Sequence, residues 1–193
     1  MALIPYPDLD KASPEAREML RRLPATINIF KMMAHADSCL KPVMKLGGTL
    51  LGKLELDPVL RELCLLKAVK VAGGEYEWIQ HIPIALDLGA TQAQIDALTR
   101  GDDHAACFDA TTQAALVFTA ELIARNKASP AALAALRQHV PDRVVVELIL
   151  MAGFYTMLAR MTETLGVENE APIGSGLVRG IEARVKAKAP PKP

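Results

Sequence analysis

The stretch DPVLRELCLLKAVKVAGGEYEWIQHIPIALDLG, residues 57–89, decides the fold. Asp57 before Pro58 pairs a side-chain cap with a proline in the first turn, and Gly73-Gly74 supplies the stop, so the first half predicts a helix over 58–72. A second helix is predicted from Glu75 to Leu88, closed by Gly89, with Pro83 removing one backbone donor and kinking the helix or loosening its first turns. Two helices joined at a glycine pair fold back on one another as a tight helical hairpin.

Working outward, the same signals recur. Residues 1–12 carry Pro5 and Pro7 and read as an arm, and Ser13-Pro14-Glu15 then caps a short helix ending near Arg22. Pro24 interrupts, and helices are predicted over 27–34 and 39–54, the second with a weak or close-packed point at Gly47-Gly48. Downstream, Thr91 and Gln94 have capping-box spacing for a helix to Leu98, followed by a polar loop over 101–109. Further helices are predicted for 111–125, from Ser129-Pro130 to His139, and from Asp142 to near Gly166. The remainder turns Gly-rich, then weakly helical, then basic and Pro-rich at 186–193, where disorder is expected. Neither an internal repeat nor an alternating strand pattern stands out. The chain is therefore expected to be all-α: an arm and short helix over 1–24, one helical domain over 25–170, and a tail over 171–193.

Composition agrees. Hydrophobic residues make up 51% but aromatics only 4%, and the dominant Ala and Leu favour helix over strand. So apolar a chain is expected to bury some surface between copies as a homo-oligomer. Lys plus Arg and Asp plus Glu each number 22, so no net field draws in nucleic acid or an anionic membrane. Cys39, Cys64 and Cys107 are odd in number and widely spaced, which fits a reducing compartment rather than a disulfide framework. The first residues lack a signal-peptide pattern and no segment reaches the roughly 18 uncharged apolar residues of a span, so a cytoplasmic protein is expected.

Within the decisive stretch, Glu62 has Val59, Leu65, Leu66 and Val69 as helical neighbours, whereas Arg61, Lys67 and Lys70 fall on the predicted solvent face. A carboxylate in an apolar stripe must find a partner or raise its pKa, so Glu62 is either a structural group satisfied by a buried Arg or His, or a proton-handling acid. His81 lies one helix later among Trp78, Ile84, Ala85 and Leu88, with Glu77 one turn before it, and the hairpin brings it toward Glu62. His35, His104 and His139 are scattered without ligand spacing, so no metal is expected. The methionines read as core or interface filler, and Gly153 as a point of close helix packing.

Arg61-Glu62-Leu63, the run Gly74-Glu75-Tyr76-Glu77-Trp78-Ile79-Gln80-His81, and Ala85 to Gly89 together resemble the carboxymuconolactone decarboxylase and alkyl hydroperoxidase D superfamily. Supporting matches are Asn28-Ile29-Phe30, Ala34-His35, Glu147-Leu148 and Tyr155-Thr156-Met157-Leu158-Ala159-Arg160. The resemblance implies a multi-helix alkyl hydroperoxidase D-like bundle, commonly a trimer or hexamer. In the peroxidase branch a Glu, a Cys-x-x-Cys pair and a His form a redox centre. Glu62 and His81 match the Glu and His, but Gly74 and Glu77 stand where the cysteines would be, so thiolate chemistry has no nucleophile. The decarboxylase branch removes carbon dioxide from a carboxylated unsaturated lactone without a cofactor. By that resemblance Glu62, His81 and Tyr76 are the expected catalytic residues, with His81 donating a proton, Glu62 relaying it and Tyr76 donating to an oxyanion. Trp78, Glu77 and Arg160 are the expected substrate contacts, Arg160 as a carboxylate clamp. A non-catalytic oligomer, with Glu62 and His81 as a buried strut, is the alternative.

Overall fold

The computed structural model describes residues 1–23, 25–174 and 176, and every regular element among them is a helix. In chain order these are α1 (Pro14–Arg21), α2 (Asn28–Met33) with a 3-10 turn at Ala34–Ala36, α3 (Asp37–Gly52), α4 (Pro58–Ala72) and α5 (Glu75–Leu88). Then come α6 (Gln92–Arg100), α7 (Ala110–Arg125), α8 (Pro130–Arg137) and α9 (Asp142–Leu165). The expected interruption at Pro24 and the helical and basic parts of the tail lie outside the described residues.

The helix ends follow from their caps. Asp57 accepts from the backbone N–H groups of Val59 and Leu60, both at 2.9 Å, and Gly73 ends α4 at φ +78°, a left-handed conformation that favours glycine. The Gly74 N–H then donates to the Val69 carbonyl at 2.8 Å, closing the turn and sending α5 back along α4. Thr91 and Gln94 form the expected capping box, and α5 continues through Pro83.

Helix α4 is the axis of the bundle, enclosed by α5, α6, α7 and α9. Ten consecutive residues, Leu60 to Val69, are buried. This corrects the expected solvent face: Arg61 and Lys67 are 3% and 7% exposed, and only Lys70 remains outside. The wheel fails here because neighbours cover α4 on every side, and each buried cation is matched: Arg61 by Glu62, and Lys67 by Asp103 at 2.8 Å.

Helix α9 is long and apolar enough to cross a membrane by length and composition alone, but 61% of that window is buried in the bundle, as in a core helix. Gly153 is another correction. It is exposed, and a Cβ there would meet nothing within 4 Å, so no described helix of the same chain packs closely against it. Past α9 the chain returns over the ends of α2 and α5. Glu168 accepts from the Ala2 N–H at 2.8 Å and the Tyr6 hydroxyl at 2.5 Å, and the Leu3 N–H donates to the Leu165 carbonyl at 2.8 Å. The N-terminal arm is thereby fastened to the segment 168–174.

Candidate active site

The hairpin brings Glu62 and His81 into contact. Glu62 is fully buried; its Oε2 lies 2.8 Å from His81 Nδ1, and its Oε1 accepts from Arg61 Nε at 3.1 Å. Arg61 also donates through Nη1 to the Leu51 carbonyl at 2.7 Å, leaving Nη2 without a partner. Burial pushes the Glu62 carboxyl up, but the opposing contributions of His81 and Arg61 win, holding it below the usual carboxylate range. Glu62 is therefore an ion with a neighbour on each oxygen.

The His81 ring closes one side of an apolar cavity of about 90 Å³ between α2, α3, α5 and α9. That space has room for several waters and is partly open to solvent rather than closed. Ile29, Met33, Leu51, Ile84, Phe154 and Leu158 supply most of the wall; Tyr76, Glu77, Gln80, His81 and Tyr155 bring the polar groups. Ile173 and Gly174, which the sequence assigns to the tail, complete it. Glu62 is not on the wall: it sits behind His81.

Tyr76 reaches the wall, but its hydroxyl donates to Glu170 Oε1, whose other oxygen accepts the Asn28 N–H at 2.9 Å. The expected oxyanion donor is thus already engaged. Gln80 is likewise tied, Nε2 donating to the Glu170 carbonyl at 3.2 Å. Glu77 is 3% exposed, and its carboxyl oxygens lie 3.1 and 3.2 Å from the Thr162 hydroxyl. No Lys or Arg among the described residues pairs with it, and burial raises it to about 7.

Two expected contacts lie elsewhere. The wall residues of α5 occupy one arc and Trp78 falls about 60° beyond it at 100° per residue, on the outer surface where Lys70 Nζ sits 5.1 Å from its ring centre. Arg160 is exposed: five residues past Tyr155, it faces about 140° away on α9. In turn, sequence reasoning missed Tyr155 as a wall residue, although it stands in a supporting match. Its ring meets His81 edge-on, with centres 4.8 Å apart and planes at 81°.

The cysteine-equivalent positions are closed by packing. A Cβ on Gly74 would stand 2.6 Å from the Ala159 Cβ and 3.2 Å from Glu77 Oε2. Gly74→Ala is therefore expected to destabilise the protein by about 1–3 kcal/mol in urea unfolding, since α9 must shift to admit one methyl group. A loss under 0.5 kcal/mol would show that the seam gives freely. Cys64 is fully buried, and burial pushes its thiol up to about 12, which suits packing rather than reactivity. Among the described residues no group of three or more His, Cys, Asp or Glu side chains could hold a metal ion.

Residues 39–120 match the sequence model of the Carboxymuconolactone decarboxylase family. No curated protein matches the chain significantly. Among solved structures, an uncharacterised peroxidase-related protein of Ralstonia eutropha with an alkylhydroperoxidase AhpD core is 19% identical, with a TM-score of 0.75 over 88% of this chain and 92% of its own. A peroxidase-related protein of Silicibacter is also 19% identical, at TM-score 0.76 over the same 88% and 92%. The debrominase Bmp8, solved as a cysteine-to-alanine variant with 2,3,4-tribromopyrrole, is 14% identical, at TM-score 0.69 over 95% of this chain and 96% of its own. At these identities the likeness concerns the fold.

Proposed function

We propose that this chain, whose residues 39–120 match the Carboxymuconolactone decarboxylase family model and whose fold is alkyl hydroperoxidase D-like, is a cofactor-independent lyase or isomerase that moves protons on a small oxygenated organic compound. The observation that carries this reading is the position of His81: Nδ1 is fixed on buried Glu62 at 2.8 Å, while the ring forms part of the cavity wall. A carboxylate on Nδ1 fixes the ring's orientation and tautomer, leaving Nε2 as the nitrogen that takes or gives a proton. In a decarboxylation, the bond to the leaving carboxylate breaks and its electron pair spreads onto the adjacent carbonyl. Carbon dioxide then departs, and protonated His81 delivers its proton to the carbon. Glu62 acts through His81 and is a positioning residue.

The strut reading draws on the sealed position of Glu62, but a strut has no need of an imidazole facing a cavity. The other participants in this reading are copies of the chain, as a cytoplasmic trimer or hexamer. Its support is the outer stripe of α9, where Val146, Ile149, Leu150 and Met157 are 56%, 40%, 55% and 44% exposed.

The test follows the ultraviolet absorbance of 4-carboxymuconolactone with the wild type and with His81→Gln, the variant confirmed folded by thermal melt. Where the wild type turns it over, the rate is expected to fall by roughly a hundredfold or more in the folded variant. Equal turnover in both would remove His81 from the chemistry, and none in either would rule out this substrate.

A further inference from the structure

The geometry points to Tyr155 as the residue that donates a hydrogen bond to the substrate's oxygen, and to an uncharged enolisable carbonyl compound, a ketone, ester or lactone, as the substrate. This inference rests on the reading of the cavity as a proton-transfer site.

Proton removal beside a carbonyl throws negative charge onto the carbonyl oxygen, and a donor must stand ready for it. The wall offers few. The Tyr76 hydroxyl is committed to Glu170, and the Gln80 amide to the Glu170 carbonyl. Arg61 is not on the wall, and Arg160 lies on the outer surface. The Tyr155 hydroxyl alone among the wall's phenols has no hydrogen-bond partner among the described residues. The residue is 4% exposed, lines the cavity and packs edge-on against His81 at 4.8 Å. Buried phenols ordinarily find a partner, and one left open beside a candidate base is aimed at something that arrives. Burial, reinforced by the Glu62 charge, raises its pKa and keeps the proton on the oxygen.

Charge selects the substrate class. Among the described residues no Lys or Arg stands on the wall, and the ionisable groups there are His81, Glu77 and the two tyrosines. A carboxylate placed in this cavity would lose its hydration without gaining a counter-ion. A neutral carbonyl compound loses far less and gains the Tyr155 donor. The step balances without a further reactant. His81 Nε2 takes a proton from the carbon next to the carbonyl, and the C–H electron pair moves into the enolate, whose oxygen accepts from Tyr155. The same imidazolium then returns the proton to a carbon along the conjugated system.

α-Angelica lactone, an uncharged β,γ-unsaturated lactone, is the probe. Moving one proton from C3 to C5 converts it to the conjugated isomer, read by ultraviolet absorbance and, in D2O, by deuterium at C5. Tyr155→Phe keeps the ring against His81 and removes only the hydroxyl. It is expected to lower kcat by roughly a hundredfold while KM moves by less than about threefold, with an unchanged thermal melt. Equal kcat in the wild type and Tyr155→Phe would overturn the donor role and leave proton transfer standing. Faster turnover of 4-carboxymuconolactone than of the neutral lactone would overturn the substrate class. A wild type inactive on both would remove the proton-transfer reading, and this inference with it.

Discussion

Glu62→Ala is expected to lose about 3–5 kcal/mol of folding free energy, measured by urea unfolding at fixed protein concentration. Among the described residues the Glu62 carboxylate is the sole hydrogen-bond partner of His81 Nδ1 and the charge partner of Arg61, whose guanidinium is 3% exposed and already has one nitrogen unpaired. Removing the carboxylate strands a cation in the densest part of the bundle. What is lost is therefore mostly the penalty of an uncompensated buried charge, and the double variant Arg61→Leu/Glu62→Leu separates the two contributions. It should recover much of the stability, because a buried ion pair replaced by apolar groups of similar volume is often neutral. A single variant within about 1 kcal/mol of wild type would mean that water reaches Arg61.

Glu77 should make the protein less stable as pH rises, the reverse of an ion-paired carboxylate. Its folded pKa is raised from 4.5 to about 7, so the folded state holds a proton that the unfolded state has released. Below pH 4.5 both states are protonated and no penalty exists. Between 4.5 and about 7 only the unfolded chain ionises, and stability falls by on the order of 3 kcal/mol. Glu77→Gln lacks this slope, so the difference between the two unfolding curves isolates it. Glu62 works in the other direction and in another window: its pKa is lowered, so its contribution is present above the unfolded value and is lost as pH falls below it. The raised values of Tyr76 and Tyr155 keep both silent near neutrality. Parallel curves for wild type and Glu77→Gln between pH 5 and 8 would show that Glu77 ionises freely in the fold.

Most of the fold was legible because its boundaries are local chemistry. Asp57 with Pro58, Gly73 with Gly74, and Thr91 with Gln94 each act within one helical turn, and the structure places helix ends at all three. The Glu62–His81 contact was legible for a similar reason: one short hairpin joins the two residues. What failed needed three-dimensional neighbours. Arg61 and Lys67 look like surface residues on an isolated wheel, and only α6, α7 and α9 together make them interior. Tyr76 looks like a free donor until Glu170, 94 residues away, arrives to occupy it. Tyr155 carries no local mark of function, because what distinguishes it is a missing partner, and absence of a contact has no spelling in sequence.

The contact between Gly74 and Ala159 constrains history as well as packing. Installing a thiol pair at positions 74 and 77 carries a packing cost, since any side chain at 74 stands against a methyl group on another helix. Ala159→Gly removes the tightest of those contacts and so lowers the cost of Gly74→Cys. The identity of residue 159 thereby sets how costly the first step toward a thiol pair is.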